Sequence, residues 1–197
     1  MNFKLTGLKA YDKKRTKIKL LLKSDDGVSA EYIISEGTYR EIGCPLSGDL
    51  IPEELLKAVF EEDEAIRADK KAAAILAFAD NSTARLKMKL RRAGFSAKAT
   101  ESAVKSLIRE GLLDDSRQVK LRIESLWRYK LLGPARIIAK LSAEGYSKSL
   151  IKSSIRELEA LEEIDFKKSK QALLEKHAPD SYEERQKLLY KYGYIYD

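Results

Sequence analysis

Three stretches of this chain share one plan. RLKMKLRRAGFS (residues 85–96), RIIAKLSAEGYS (136–147) and ERQKLLYKYGYI (184–195) each read as an amphipathic helix that stops at a glycine followed by an aromatic. Aligned on Ser82, Gly133 and Ser181, the glycines Gly94, Gly145 and Gly193 fall twelve residues on, and Leu90, Leu141 and Leu189 fall eight residues on. The offsets of 51 and 48 residues lie in the range where self-similarity marks a helical array. A chain built this way is constrained to stack helices.

Each recurring position has a physical task. Ser82 and Ser181 can cap a helix N-terminus, and Gly133 is an acceptable cap with Pro134 behind it, where a missing N–H costs nothing. Leu86 and Leu90, like Ile137 and Leu141, stand four apart and point into a core. The glycine takes the left-handed position that ends the helix, and the aromatic folds back on the last turn. Ser96 and Ser147 open a further helix, in which Thr100, Val104 and Leu107 match Ile151, Ile155 and Leu158 as a buried stripe. Ahead of the second unit Asp115, or Asp114, caps SRQVKLRIESLWRYK with Val119, Ile123 and Leu126 inward, and Asp165 introduces FKKSKQALLEKH.

The fold expected is therefore mainly α: tandem three-helix, helix-turn-helix-like repeats in an elongated array. The repeats are expected at 70–114, 115–164 and 165–197, the last lacking its final helix. Residues 51–69 form a connecting helix that starts near Pro52 or Glu53, with Leu55, Leu56, Val59 and Phe60 on one stripe and the acidic cluster EEDE at its end. ADKKAAAILAFAD reads as a second helical run. Residues 1–50 read as a small β-rich segment: TKIKLLL and AEYIIS make a hairpin around an Asp-Gly turn, and NFKLTGLKA adds a third strand. GTYREIGCPLSGDLIPEE reads as turns.

The formal net charge of +7 conceals a segregation. Residues 1–23 hold eight Lys/Arg and one acid, residues 24–80 hold five and fourteen, and residues 85–156 hold eighteen and six. A concentrated positive field favours phosphate backbones or an acidic protein surface; solvated helix faces are the alternative. The longest apolar run, AAAILAFA, is too short for a membrane span. No signal peptide is read at the N-terminus, and one cysteine, Cys44, allows no internal disulfide, so a cytoplasmic location is expected.

The motif order STARLKMKLRRAGFSAKATESAVKSLIREGLLDD followed by RIESLWRYKLLGPARIIAKLSAEGYSKSLIKSSIREL resembles the RecX family, bacterial regulators of the RecA recombinase. The pattern that carries the likeness is a leucine-bearing basic helix, the pairs Lys89-Leu90 and Lys140-Leu141, Gly-Phe or Gly-Tyr, a further helix, and Leu113-Asp114-Asp115. It covers residues 70–197, with the head closer to a variable N-terminal extension. Glu183 and Glu184 replace the Ala-Arg of the first two units. The resemblance implies a regulator that lodges on the RecA filament on DNA, inhibits its ATPase and recombination activities in repair and SOS control, and in some members binds DNA.

Arg85, Lys89 and Arg92, at i, i+4 and i+7, make a basic stripe beside the leucines. With Arg91, Arg128, Arg136 and Lys140 they are the candidates for contact with RecA or DNA, against the alternative of a solvated face. Trp127 and Tyr129 flank Arg128; base stacking is open to them, but Trp127 adjoins the buried stripe and reads as core. The C-terminal tyrosines Tyr182, Tyr190, Tyr192, Tyr194 and Tyr196 read as packing residues. Asp114-Asp115 reads as a cap rather than a metal or acid–base pair, and His177 has no partner in the sequence. There is no P-loop, GxGxxG, zinc spacing or nucleophile elbow, so neither an enzyme nor a cofactor or metal is expected. A monomer acting on the RecA filament and on DNA, without a membrane, is the leading reading. A general DNA-binding protein is the second, and an adaptor using the acidic 24–80 segment the third.

Overall fold

The computed structural model describes residues 3–13 and 16–194. Among them are four strands and nine helices, so the protein is mainly helical with a small antiparallel sheet at its N-terminal end. Tyr196 lies outside the described residues. The chain forms two compact units, one of Met1–Ile75 with Lys89–Arg109, the other of Leu76–Met88 with Glu110–Asp197.

In the first unit, strands β1 (Phe3–Ala10), β2 (Lys17–Ser24), β3 (Ser29–Ser35) and β4 (Leu50–Ile51) lie in the order β3-β2-β1-β4. All three expected strands are present. β1 and β2 pair from Phe3↔Ser24 to Ala10↔Ile18, with an irregularity between Leu5 and Gly7 that sets Thr6 out of register. The β2–β3 connection closes through Ser24, whose N–H donates to Val28 O at 2.9 Å. Leu20 and Leu22 of β2 and Ile34 of β3 are fully buried with Leu5, Ile42, Ile51, Leu56 and Val59. Strand alternation sends every second side chain to this one face, while Lys19 on β2 meets Glu31 on β3 at 2.7 Å.

Helix α1 (Glu36–Glu41) interrupts the stretch read as turns. Ser35 caps it by accepting from Thr38 N, and six residues around Gly37 give too short a window for helical periodicity to show. Helix α2 (Glu53–Phe78) is one helix of 26 residues, not two runs. No glycine or proline falls between its ends, so nothing stops it at the acidic cluster. That cluster sits mid-helix: Leu56, Val59, Asp63, Ala68 and Ala72 are its buried residues.

The remaining helices are α3 (Thr83–Arg92), α4 (Ala97–Arg109), α5 (Asp115–Lys130), α6 (Pro134–Ala143), α7 (Lys148–Ala160), α8 (Phe166–His177) and α9 (Tyr182–Tyr192). Their caps follow the sequence closely. Asp114, Asp165, Ser147 and Ser181 each accept from a first-turn N–H, and Gly133 precedes Pro134. Of the two aspartates considered for α5, Asp114 is the cap, and Asp115 accepts from Thr83 N at 2.8 Å. Gly94, Gly145 and Gly193 all have positive φ.

The second unit has its own core of Val119, Ile123, Leu126, Ile137, Leu141, Tyr146, Ile151, Ile155, Leu158, Leu173 and Leu189, among others. All but Tyr146 and Leu173 are positions marked by helical spacing, and Tyr146 is the aromatic that follows Gly145. Two glycines bring the end of α9 against the start of α6: Gly193 O accepts from Ala135 N at 3.2 Å, and Tyr192 O accepts from Gly133 N at 2.8 Å. The turn that ends α9 thus satisfies N–H groups that the start of α6 would leave orphaned.

Candidate binding surface

Burial of one helix face leaves the opposite face to charge, and the seven candidate cations all lie there. Leu86 and Leu90 of α3 are fully buried, so Arg85, Lys89 and Arg92, offset from them on the helix, are exposed. Arg91 is also exposed, and its Nη1 donates to Phe95 O at 3.0 Å across the helix end. On α6, Ile137 and Leu141 are fully buried, and Arg136 and Lys140, one position ahead of each, are exposed. Arg128 is exposed in the last turn of α5. Arg85, Lys89, Arg92, Arg128, Arg136 and Lys140 have no ion pair among the described residues.

The structure groups these side chains unevenly. Arg136 and Lys140 line a concavity of about 320 Å³ with Lys130, Leu132 and Ala139. Arg85 lines a separate, polar concavity of about 260 Å³ with Gln118, Arg122, Glu144 and Tyr146. There Arg122 is already neutralised, its Nη2 2.8 Å from Glu144 Oε1. Tyr146 donates to Gln118 Oε1 at 2.9 Å. Burial, with Asp115 and Glu144 nearby, pushes its hydroxyl up to about 12.

Lys130 and Leu132 were not among the residues singled out by the sequence. They flank Leu131, which takes the left-handed conformation at φ 51° and turns the chain from α5 to α6. A non-glycine residue in that region carries no sequence signal, so no periodic pattern joins Lys130 to Arg136. The turn is held from below: Tyr194 Oη donates to Leu131 O at 3.1 Å and is 2.7 Å from Ser169 Oγ.

The aromatic residues divide. Trp127 is half-buried against the core and donates from Nε1 to Asp165 O at 3.2 Å, the packing role read for it, while Tyr129 is 76% exposed. Tyr194 is buried, but Tyr182 and Tyr190 are exposed and so are not packing residues. His177 does have a neighbour, Tyr192, with ring centroids 5.7 Å apart.

The acidic cluster of α2 is engaged within the first unit. Glu61 pairs with Lys98 at 2.6 Å. Asp63 accepts from Ile33 N at 2.8 Å and pairs with Arg67 at 2.6 Å. Glu64 accepts from Ser96 N at 2.7 Å and Ser96 Oγ at 2.6 Å, and these bonds lower its pKa. Three of the four residues of the cluster EEDE are thus bonded within their own unit. Among the described residues no group of three or more His, Cys, Asp or Glu is placed to hold a metal ion, and no helix is long and apolar enough to cross a membrane.

No family model and no curated protein matches this sequence. Solved structures do. The crystal structure of the regulatory protein RecX superposes with a TM-score of 0.68 at 18% identity, covering 98% of this chain and 93% of that one. The chain has the RecX fold. A second RecX structure, from Lactobacillus salivarius, gives a TM-score of 0.47 at 16% identity over 68% of this chain and 99% of the other. The likeness to the RecX fold in the first of these extends over 98% of the chain, and so reaches past residues 70–197, where the motif order lies, into the N-terminal sheet. At 18% identity little of the sequence is shared.

Proposed function

We propose that this protein is a non-enzymatic regulator of a RecA-type recombinase, which binds the RecA–DNA filament and inhibits its ATPase and recombination activities. The observation that carries this reading is the likeness to the regulatory protein RecX across nearly the whole of both chains. The exposed, unpaired cations support it, because a filament on DNA offers acidic side chains and phosphates together. In this reading the helices from residue 70 act as tandem three-helix repeats, 70–114, 115–164 and 165–197, behind a β-rich head (1–50) and a connecting segment (51–69), with α2 running from that segment into the first repeat. Arg85, Lys89, Arg91, Arg92, Arg128, Arg136 and Lys140 make the contacts. The protein works as a cytoplasmic monomer without a cofactor.

The test is the single-stranded-DNA-dependent ATPase of the cognate RecA, titrated with this protein and with a variant carrying Ala at Arg85, Lys89, Arg136 and Lys140. Inhibition by the wild type at substoichiometric ratio, relieved in the variant, is the expected result. An ATPase indifferent to both proteins, with salt-sensitive binding to bare DNA intact, sinks the regulatory reading. It would leave the second one, a DNA-binding protein, which the same unpaired cations favour.

A further inference from the structure

The concavity between the end of α5 and the outer face of α6 is unlike the rest of the basic surface. Its rim carries three cations, Lys130, Arg136 and Lys140, while Leu132 and Ala139 give it an apolar lining. Arg136 and Lys140 have no ion pair among the described residues. Its shape is fixed rather than adaptive. Leu131 O is held by the Tyr194 hydroxyl, Gly133 N by Tyr192 O, and Ala135 N by Gly193 O, so the turn behind Leu132 is tied to the end of α9 at three points.

Two classes of partner could use such a surface, and the geometry separates them. A single nucleic-acid strand in a basic groove lays its phosphates along the cations and stacks its bases on aromatic rings. The lining of this concavity offers no aromatic ring, its apolar part being Leu132 and Ala139. A protein segment with a large apolar side chain between carboxylates fills the lining and pairs with the rim, the arrangement by which buried anchors ringed by polar contacts supply most binding energy.

We infer that this concavity is the anchor site for an acidic segment of a partner protein, in which an aliphatic or aromatic residue stands between Asp or Glu residues. The apolar residue seats on Leu132 and Ala139; the carboxylates meet Lys130, Arg136 and Lys140. The inference rests on the proposed function only in taking the partner to be a protein, and it names the chemistry of that contact.

The experiment uses the full chain and a fluorescein-labelled peptide of Asp and Glu around a central Leu-Phe pair, read by fluorescence anisotropy. The controls are the same peptide with Ser-Ser at the centre and an oligodeoxythymidine of equal charge. The Leu-Phe peptide is expected to bind about tenfold more tightly than the Ser-Ser peptide. Ala139→Trp, at an exposed position on α6, fills the concavity and abolishes that difference, with the fold of the variant checked by circular dichroism. Arg136→Glu with Lys140→Glu abolishes binding of both peptides. Equal affinity for the two peptides, or indifference to Ala139→Trp, overturns the assignment. So does tighter binding of oligodeoxythymidine that is lost on charge reversal, which would give the surface to nucleic acid. The assay contains no recombinase, so RecA inhibition without peptide binding leaves the regulatory reading standing while this one falls. Peptide binding without RecA inhibition does the reverse.

Discussion

Gly193 lies so close to Arg136 that a β-carbon on the glycine would stand 2.5 Å from Arg136 Cβ and 2.9 Å from its Cα. Its φ of +86° is also one that side chains disfavour. Gly94 ends α3 with a similar φ of +92° but faces open space. The pair separates backbone strain from steric overlap. Gly94→Ala is expected to cost about 1 kcal/mol from conformation alone, and Gly193→Ala about 3 kcal/mol, overlap added. Urea unfolding of both variants decides it; equal losses would mean that the α9–α6 contact yields without penalty.

That glycine was legible in the sequence as a helix stop, but its contact was not. Spacing and caps located α3 to α9 because Leu90, Leu141 and Leu189 and the capping Ser and Asp act within one turn of themselves. Local rules read local physics. The contact between Gly193 and Arg136 joins residues 57 apart and leaves no periodic trace. The same holds for Asp63, read only as part of the acidic cluster EEDE and found buried beneath β3, and for Lys130, joined to Arg136 and Lys140 by the left-handed Leu131. Exposure of the seven candidate cations followed from the apolar stripe; the grouping of two of them, Arg136 and Lys140, with Lys130 around one concavity did not.

Asp63 is 1% exposed, and its carboxylate covers the outer N–H of Ile33 on strand β3. Its other partner, Arg67, keeps 59% of its side chain in water and is readily rehydrated. The lost backbone bond therefore dominates, and Asp63→Ala is expected to cost about 2 kcal/mol. Asp63→Asn retains an acceptor oxygen and loses less. Denaturant midpoints for the two variants check the order, and a larger loss in Arg67→Ala would reverse the assignment.

Glu64 is held below its ordinary carboxylate range, chiefly by the Ser96 hydroxyl and then by the Ser96 N–H. A depressed carboxyl contributes stability above its unfolded value and gives it up as pH falls through the lower, folded one. Stability should thus decline on acidification below the unperturbed value of 4.5. Ser96→Ala keeps the backbone bond but should flatten that decline. Unfolding curves taken between about pH 3 and pH 7 test it, and identical pH profiles would dismiss Glu64 as a contributor.

Tyr146 works with the opposite sign. Its folded pKa is raised from 10.0 to about 12, first by burial and then by Asp115 and Glu144. Its contribution is complete below the unfolded value and is lost as pH climbs toward the folded one. Tyr146→Phe is expected to cost about 1 kcal/mol at neutral pH through the bond to Gln118. The variant should then lose less than the wild type under alkaline conditions. Parallel alkaline curves for the two proteins would show that another tyrosine governs this limb.

Because Arg85, Lys89, Arg136 and Lys140 are exposed and pair with nothing among the described residues, removing them should not disturb the fold. The quadruple alanine variant is expected within about 0.5 kcal/mol per site of wild-type stability. Any loss of binding can then be read as lost contact. On bare DNA, each of the four that meets a phosphate lowers the slope of log affinity against log salt by about one. A slope unchanged by the variant, together with lost inhibition of the RecA ATPase, would mean that the four cations meet protein rather than phosphate. A slope reduced by about four, with inhibition retained, would put all four on DNA and move the regulatory contact elsewhere on the chain.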